Sequence, residues 1–171
     1  PERLLDWVDQ EKPDIIATVE NLADPKYTPT INQRYPYQYK YRDTVVYSRY
    51  PILASHHGDN EYNFDMLDIR TPQGLMHLAV VHLCQPKIET HDCQSSQMAR
   101  LKAGISADQR PDTVMVGDFN SSLSAYLLQD FAHDMDFSPL AAPTGTWPSV
   151  LPGVLRIGID DSFAGKHFSL S

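Results

Sequence analysis

The chain has no apolar run long enough to cross a bilayer, and nothing in it reads as a secretory leader. Internal repeats and low-complexity tracts are absent, which sets aside repeat architectures and biased-composition segments. Cysteine is scarce, with only Cys84 and Cys93 present, too few for a disulfide scaffold. Basic residues are outnumbered, 14 Lys and Arg against 22 Asp and Glu, for a net charge of −8. That deficit argues against non-specific nucleic-acid binding through a broad basic face, while a local basic channel stays open. An opening methionine is also lacking. The chain starts Pro1-Glu2-Arg3 and reads as excised from something longer, so localisation is unknown from its ends.

What is present is an ordinary globular composition, 42% hydrophobic and 21% charged. A length of 171 residues is one domain's worth, with a core that needs no staples. The surplus of carboxylates suits a protein that holds a divalent cation.

Leu4, Leu5 and Val8 form a helical stripe in Glu2 to Glu11, and "KPD" breaks it before a β-branched strand, "DIIATVE". Residues 21–34 are polar and punctuated by prolines, and read as a loop. Strand-like runs follow in succession: "YPYQYKY", "TVVYSR", "ILASHH", "YNFDMLDIRT" and "GLMHLAVVHL", the fourth with imperfect alternation that suggests a bulge. Gln94 to Ala107 carries Met98, Leu101 and Ile105 on one helical face. "DTVMVG" is a continuous apolar run, as for a strand covered on both sides. Ser121 or Ser122 is expected to cap a third helix with Leu123, Leu127 and Phe131 as its stripe. "VLRIGIDDSFAG" is the last strand candidate. Strands in runs interrupted by three helices predict a mixed α/β or α+β domain.

Polar residues recur where strands give out. Glu20 ends "DIIATVE", His82 ends "HLAVVHL", Asp118 and Asn120 follow "VMVG", and Asp160 lies in "RIGID". One such residue is a loop start; four strand ends meeting on Glu, His, Asp/Asn and Asp would build a catalytic face on a sheet. The stretch "VMVGDFNSS" poses the choice most sharply, because Gly, Asp, Asn and Ser are also what a plain Asx-turn uses.

The order "PDIIATVE", "YSRYPI", "AVVHL", "VMVGDFNSS", "GTWP" and "IDD" resembles the endonuclease/exonuclease/phosphatase superfamily, the DNase I-like proteins. The resemblance covers nearly the whole chain. It implies a four-layered α/β sandwich, two mixed sheets face to face with helices outside, and metal-dependent hydrolysis of phosphate esters with Mg²⁺ or Mn²⁺. Carried over by position, Glu20 matches the metal-binding glutamate and Asp118 the carboxylate that activates the attacking water. Asn120 matches the amide that steadies the phosphate, and His82 the histidine facing the phosphoryl oxygens. Asp160 matches the aspartate that pairs with a C-terminal histidine. The family pattern also has an earlier strand with a metal-site Asn and a closing Ser-Asp-His, neither within residues 1–171. The chain is therefore read as a single domain, 1–171, truncated at both ends and impaired alone. Val19 stands where Gln is usual, and Asp161 where His is common.

Two other readings stay open: a catalytically silent relative that binds a phosphorylated partner, and a zinc-stabilised module on His82, Cys84, His91 and Cys93. The cysteines would otherwise pair as a short-loop disulfide or stay free. The resemblance implies a phosphoester substrate, with nucleic acid or a lipid headgroup both in play. Acidity favours a small phosphoester or headgroup over duplex DNA, since phosphate contacts need basic groups. Some bacterial relatives carry transmembrane helices ahead of such a domain, so the resemblance is compatible with a membrane-anchored parent; no partner protein is inferable. Tyr35, Tyr37, Tyr39 and Tyr41 alternate and would share one face of an extended strand, packing against a neighbouring layer in preference to stacking bases. His56, His57, His77 and His133 are expected to be surface or core residues.

Overall fold

A computed structural model describes residues 2–20, 28–58, 63–85, 92–122, 125–140, 146 and 159–168. In chain order the elements are α1 (Glu2–Glu11), β1 (Ile15–Thr18), α2 (Thr28–Arg34), β2 (Tyr37–Tyr41), β3 (Thr44–Ser48), β4 (Ile52–His57), β5 (Asn63–Thr71) and β6 (Gly74–His82). They continue with α3 (Cys93–Gly104), β7 (Thr113–Asp118), α4 (Tyr126–Met135), β8 (Ser138–Pro139) and β9 (Asp160–Ala164).

The strands form two sheets. The smaller has the order β1-β3-β2, antiparallel throughout, and the larger β4-β5-β6-β7-β9-β8. Within the larger sheet only β6 and β7 run parallel, and the connection between them carries α3, as a parallel pair requires a crossover.

Side-chain alternation explains the layering. Leu67 and Ile69 of β5, Leu78 and Val80 of β6, and Val46 of β3 pack between the sheets, with Ile15, Ala17, Tyr39, Val114 and Val116 against them. The opposite faces of β5, β6 and β7, through Met66, Ala79, Val81 and Met115, pack on Met98 and Leu101 of α3 and Leu128, Phe131 and Met135 of α4. Val8 of α1 and Ile31 of α2 cover the outer face of the small sheet with Ile16, Val45 and Tyr47. Helix, sheet, sheet, helix: the expected four-layered sandwich is what the chain builds. Because β6 and β7 are covered on both faces, their sequences read as unbroken apolar runs.

Local details differ from the sequence expectations. Residues 28–34 are helical rather than loop, since Pro29 suits a first helical turn and Ile31 is buried against α1. Residues 21–27 lie outside the described residues. The four tyrosines do not share a face. Tyr35 precedes β2 and is fully buried in the helix-side cluster, its hydroxyl donating to the Pro13 carbonyl at 2.7 Å, whereas Tyr39 faces the other sheet. The irregularity near "YNFDMLDIRT" belongs to β4, between Ile52 and Ala54; β5 pairs with β6 in unbroken register. The third expected helix begins at Tyr126 with Ala125 as N-cap and no side-chain cap, because Ser121 is spent on a tertiary bond. Its buried stripe is accordingly Leu128, Phe131 and Met135, and Leu123 lies outside the described residues.

Candidate active site

Five elements end at one rim of the sandwich. β6 stops at His82 and β7 at Asp118, its parallel partner in the register. β9 starts at Asp160, the antiparallel partner of Asp118. From the smaller sheet come Glu20, two residues beyond β1, and Asp43 in the tight β2–β3 turn. Parity along β6, β7 and β9 points His82, Asp118 and Asp160 into the gap between the sheets, on the face of Val80 and Val116. The structure thus brings together Glu20, His82, Asp118, Asn120 and Asp160.

The His82 ring is clamped across the gap. Its Nδ1 lies 2.7 Å from Asp43 Oδ2, and its Nε2 lies 4.0 Å from Glu20 Oε1. Asp43 escaped the sequence reading because the other sheet supplies it. The available signal was the two-residue hairpin Arg42-Asp43 between alternating strands. Asp43 Oδ1 is buried with no hydrogen-bond partner among the described residues.

Asp118 carries the strongest electrostatic signature of the site. Burial pushes its carboxyl above the usual range, and the charges of Asp160 and Glu20 push the same way. The Asn120 backbone N–H, donating to Oδ1 at 2.8 Å, and His82 pull it down. That N–H bond is an Asx-turn, so turn and site are one arrangement rather than alternatives. The Asn120 side-chain amide donates to the Leu83 carbonyl at 2.7 Å, which fixes the loop after β7 to the end of β6.

The backbone here is unusual. Among the described residues five non-glycines have positive φ, and three of them, Glu20 (62°), Arg42 (50°) and Asn120 (48°), flank this rim. Such conformations cost about 1–3 kcal/mol each and persist where the surroundings dictate them. Gly117 (φ 147°) is obligatory: a Cβ there would sit 1.9 Å from the Val81 carbonyl oxygen.

Behind the rim, α3 holds the two strand ends together. Gln94 Nε2 donates to the carbonyls of Cys84 (2.8 Å), Phe119 (3.3 Å) and Asn120 (3.3 Å), while its Oε1 accepts from Ser121 Oγ at 3.0 Å. Buried Gln97 accepts from the Cys84 N–H at 2.8 Å. Sequence reasoning missed both glutamines; their i, i+3 spacing on the inner face of α3 was the only signal. Cys84 and Cys93 are joined as a disulfide, which ties the residue two beyond His82 to the first turn of α3. The pairing removes both thiolates from any zinc site and overturns the zinc-module reading. His91 lies outside the described residues.

Asp161, adjacent to Asp160, faces the helix side of the sheet opposite Gly117. Burial, then repulsion from Asp160, pushes its carboxyl up to about 6.

A two-sheet α/β sandwich with an imidazole, an amide and several carboxylates at one rim defines a class, and comparison with known proteins places the chain within it. Residues 1–170 match the Endonuclease/Exonuclease/phosphatase family, and the chain belongs to that family, whose members are phosphoester hydrolases. No curated protein gives a significant sequence match. Among solved structures, a β-hairpin deletion mutant of beta toxin from Staphylococcus aureus aligns with a TM-score of 0.73 at 15% identity, covering 99% of this chain and 81% of the toxin. The same toxin carrying a Phe-to-Ala and a Pro-to-Ala substitution, with bound magnesium ions, aligns at 0.70 and 16%, covering 92% and 73%. Sphingomyelinase C from Streptomyces griseocarneus aligns at 0.68 and 15%, covering 98% and 77%. D. rerio TDP2 complexed with a single-strand DNA product aligns at 0.66 and 16%, again covering 98% and 77%. At these identities the likeness is one of fold.

Proposed function

We propose that the chain hydrolyses a phosphoester with the aid of a divalent cation, Mg²⁺ or Mn²⁺. Asp118 aligns and deprotonates the attacking water. His82 and Asn120 meet the phosphoryl oxygens, and Glu20 is the cation's protein ligand. The observation that carries this reading is the convergence of Glu20, His82, Asp118 and Asp160 from two sheets onto one rim.

The donor set suits a hard cation, being carboxylate and amide oxygens. Glu20 and Asp160 already repel the Asp118 charge, a surplus that a cation would relieve. Among the described residues no group of three or more His, Cys, Asp or Glu is placed to hold an ion by itself, so Glu20 would be its carboxylate ligand with water completing the shell. When bound, the cation neutralises phosphate charge and stabilises what develops on the departing oxygen.

The protein's own groups do the rest. A carboxyl raised by burial and by Asp160 is a stronger base than a free one, which suits Asp118 to take the water's proton. Asp43 fixes the His82 ring through Nδ1, so that as the imidazolium its Nε2 N–H donates toward the phosphoryl oxygens. Asn120, held by Asp118 and Leu83, keeps one amide proton and its oxygen for the substrate.

The test is hydrolysis of bis-p-nitrophenyl phosphate by the protein, with Mg²⁺ or Mn²⁺ and with chelator. Metal-dependent turnover that falls in Asp118→Asn supports the reading. Absence of turnover with either metal, or full turnover in the variant, sinks it. A choline phospholipid and a short oligonucleotide offered side by side would separate the two substrate classes.

A further inference from the structure

A second aspartate–histidine pair stands on the same face of the same sheet, two strands away from the first. His57 closes β4, which runs in the same direction as β6 because both are antiparallel to β5. Its register partner on β5 is Asp65, which in turn pairs with Val80, so His57 and Asp65 share the inter-sheet face with His82. Strands lie about 4.8 Å apart and rise about 3.3 Å per residue, and His57 is level with Val80, two residues short of His82, so the two histidines stand about 12 Å apart on the sheet.

The pair is built to hold its ring still. Asp65 is buried, 4% exposed, and its Oδ1 accepts from the Tyr39 hydroxyl at 2.9 Å. Burial and the Asp65 carboxylate hold the Tyr39 phenol protonated far above its usual range, so the hydroxyl is the donor in that bond. His57 Nδ1 lies 2.6 Å from the Tyr39 oxygen and 3.1 Å from Asp65 Oδ1. The ring stacks on Tyr41 with centroids 3.9 Å apart and planes 12° apart, and the Arg42 guanidinium lies 5.3 Å over the same tyrosine. Asp65, Tyr39 and Tyr41 thus fix the imidazole, while His57 itself is exposed. A core histidine would not be exposed, and a solvated one has no need of three anchors.

We infer that His57, with Arg42 nearby on the shared Tyr41 ring, forms a second phosphate subsite that takes another phosphoryl group of the same substrate, two strands along the sheet from the one hydrolysed. The inference rests on the hydrolase reading. Tyr39 gives its one hydroxyl proton to Asp65, so Nδ1 is the N–H that meets both oxygens, and Nε2 donates to a phosphate oxygen once the phosphate has brought a second proton onto the ring. The Asp65 charge is buried beneath it. Arg42, exposed in the β2–β3 turn over Tyr41, supplies local positive charge on a chain of net −8. Stacking space is already filled by Tyr41 and Tyr39, so the ligand is recognised by charge rather than by a planar base. A neighbouring phosphate of a nucleotide chain and the second phosphate of a small bisphosphate share this chemistry.

The experiment compares substrates that differ by one phosphate, in the full-length protein with Mg²⁺. Thymidine 5′-(p-nitrophenyl phosphate) is assayed with and without a 3′-phosphate, and inositol 1,4-bisphosphate against inositol 1-phosphate. The second phosphate should lower KM about tenfold in at least one arm, which identifies the source. His57→Ala and the exposed-site variant Arg42→Ala should shrink that ratio toward one. A ratio near one in both arms of the unsubstituted protein overturns the subsite, as does a ratio that survives in both variants. The ring resonances of His57 during pyrophosphate titration give a readout independent of turnover. Saturable shifts at His57 larger than at His56 support the subsite even if hydrolysis is absent, in which case only the hydrolase reading falls. No selective shift counts against the subsite.

Discussion

Strand β6 carries two histidines, each with Nδ1 2.7 Å from an aspartate, and only one of them faces the candidate site. His77 pairs with Asp68, its cross-strand neighbour on β5, and is 7% exposed on the face that the helices cover. His82 pairs with Asp43, which arrives from the opposite sheet, and faces the gap between the layers. Five residues separate them, an odd number, so they must point to opposite faces of the strand. Their β7 neighbours differ accordingly: Thr113 beside His77, Asp118 beside His82. An aspartate–histidine hydrogen bond is therefore no mark of function by itself. What distinguishes the pair at the rim is its surroundings: the second ring nitrogen of His82 lies 4.0 Å from Glu20, and its β7 neighbour is Asp118.

The largest effect should come from the β7 neighbour. Asp118→Asn is expected to lower the rate of phosphoester hydrolysis by about two or more orders of magnitude, the scale of a general base. Steady-state kinetics with Mg²⁺ measure this, and a near-native rate would take Asp118 out of the mechanism. Next, the histidines themselves should separate cleanly. His82→Ala should cost about a hundredfold in kcat, as expected for a donor to the phosphoryl oxygens. His77→Ala should leave kcat alone and lower unfolding stability by about 1–3 kcal/mol, because Asp68 loses its partner in a largely covered place. Equal loss of rate in both would erase the distinction drawn here. Asp43→Asn is expected to act more gently, by about tenfold in kcat with KM little changed, since it orients His82 without touching substrate. A change confined to KM would argue that Asp43 binds the substrate or cation directly.

Much of this was legible in the chain. Alternation and apolar runs marked most of the strands, and polar residues at their ends marked Glu20, His82, Asp118, Asn120 and Asp160. Those signals are local, and the register of a buried sheet leaves little freedom in where strand ends fall. Asp43, Gln94 and the Tyr39–His57–Asp65 cluster were not legible, because each acts across 8 to 39 positions of sequence on a group from another element. The short helix α2 was hidden for a different reason: its Thr and Pro residues are turn formers by composition, and only the burial of Ile31 decides the matter. Ser121 looked like a cap because serine caps helices, yet its hydroxyl went to Gln94.

The parity rule that separates His77 from His82 applies again on β9, and its consequence there is a pH effect. Asp160 faces the gap and Asp161, one residue on, faces the helix layer, where its Oδ2 is buried without a partner among the described residues. Burial first, and then Asp160, raise Asp161 from 3.8 to about 6. The folded chain therefore holds a proton at Asp161 between those values while the unfolded chain has released it. Stability contributed by that proton is fully present below about pH 4 and is lost as pH rises through about 6. Asp161→Asn keeps the shape and discards the charge, so it should stabilise the protein above pH 6 by an amount on the order of 1–2 kcal/mol, discounted for partial exposure. Below pH 4 the two proteins should differ little. Urea unfolding of both at pH 4 and pH 7.5 measures the difference. A gap between them that does not widen with pH would mean that Asp161 ionises as freely folded as unfolded, and that the helix side of β9 is wetter than its packing implies.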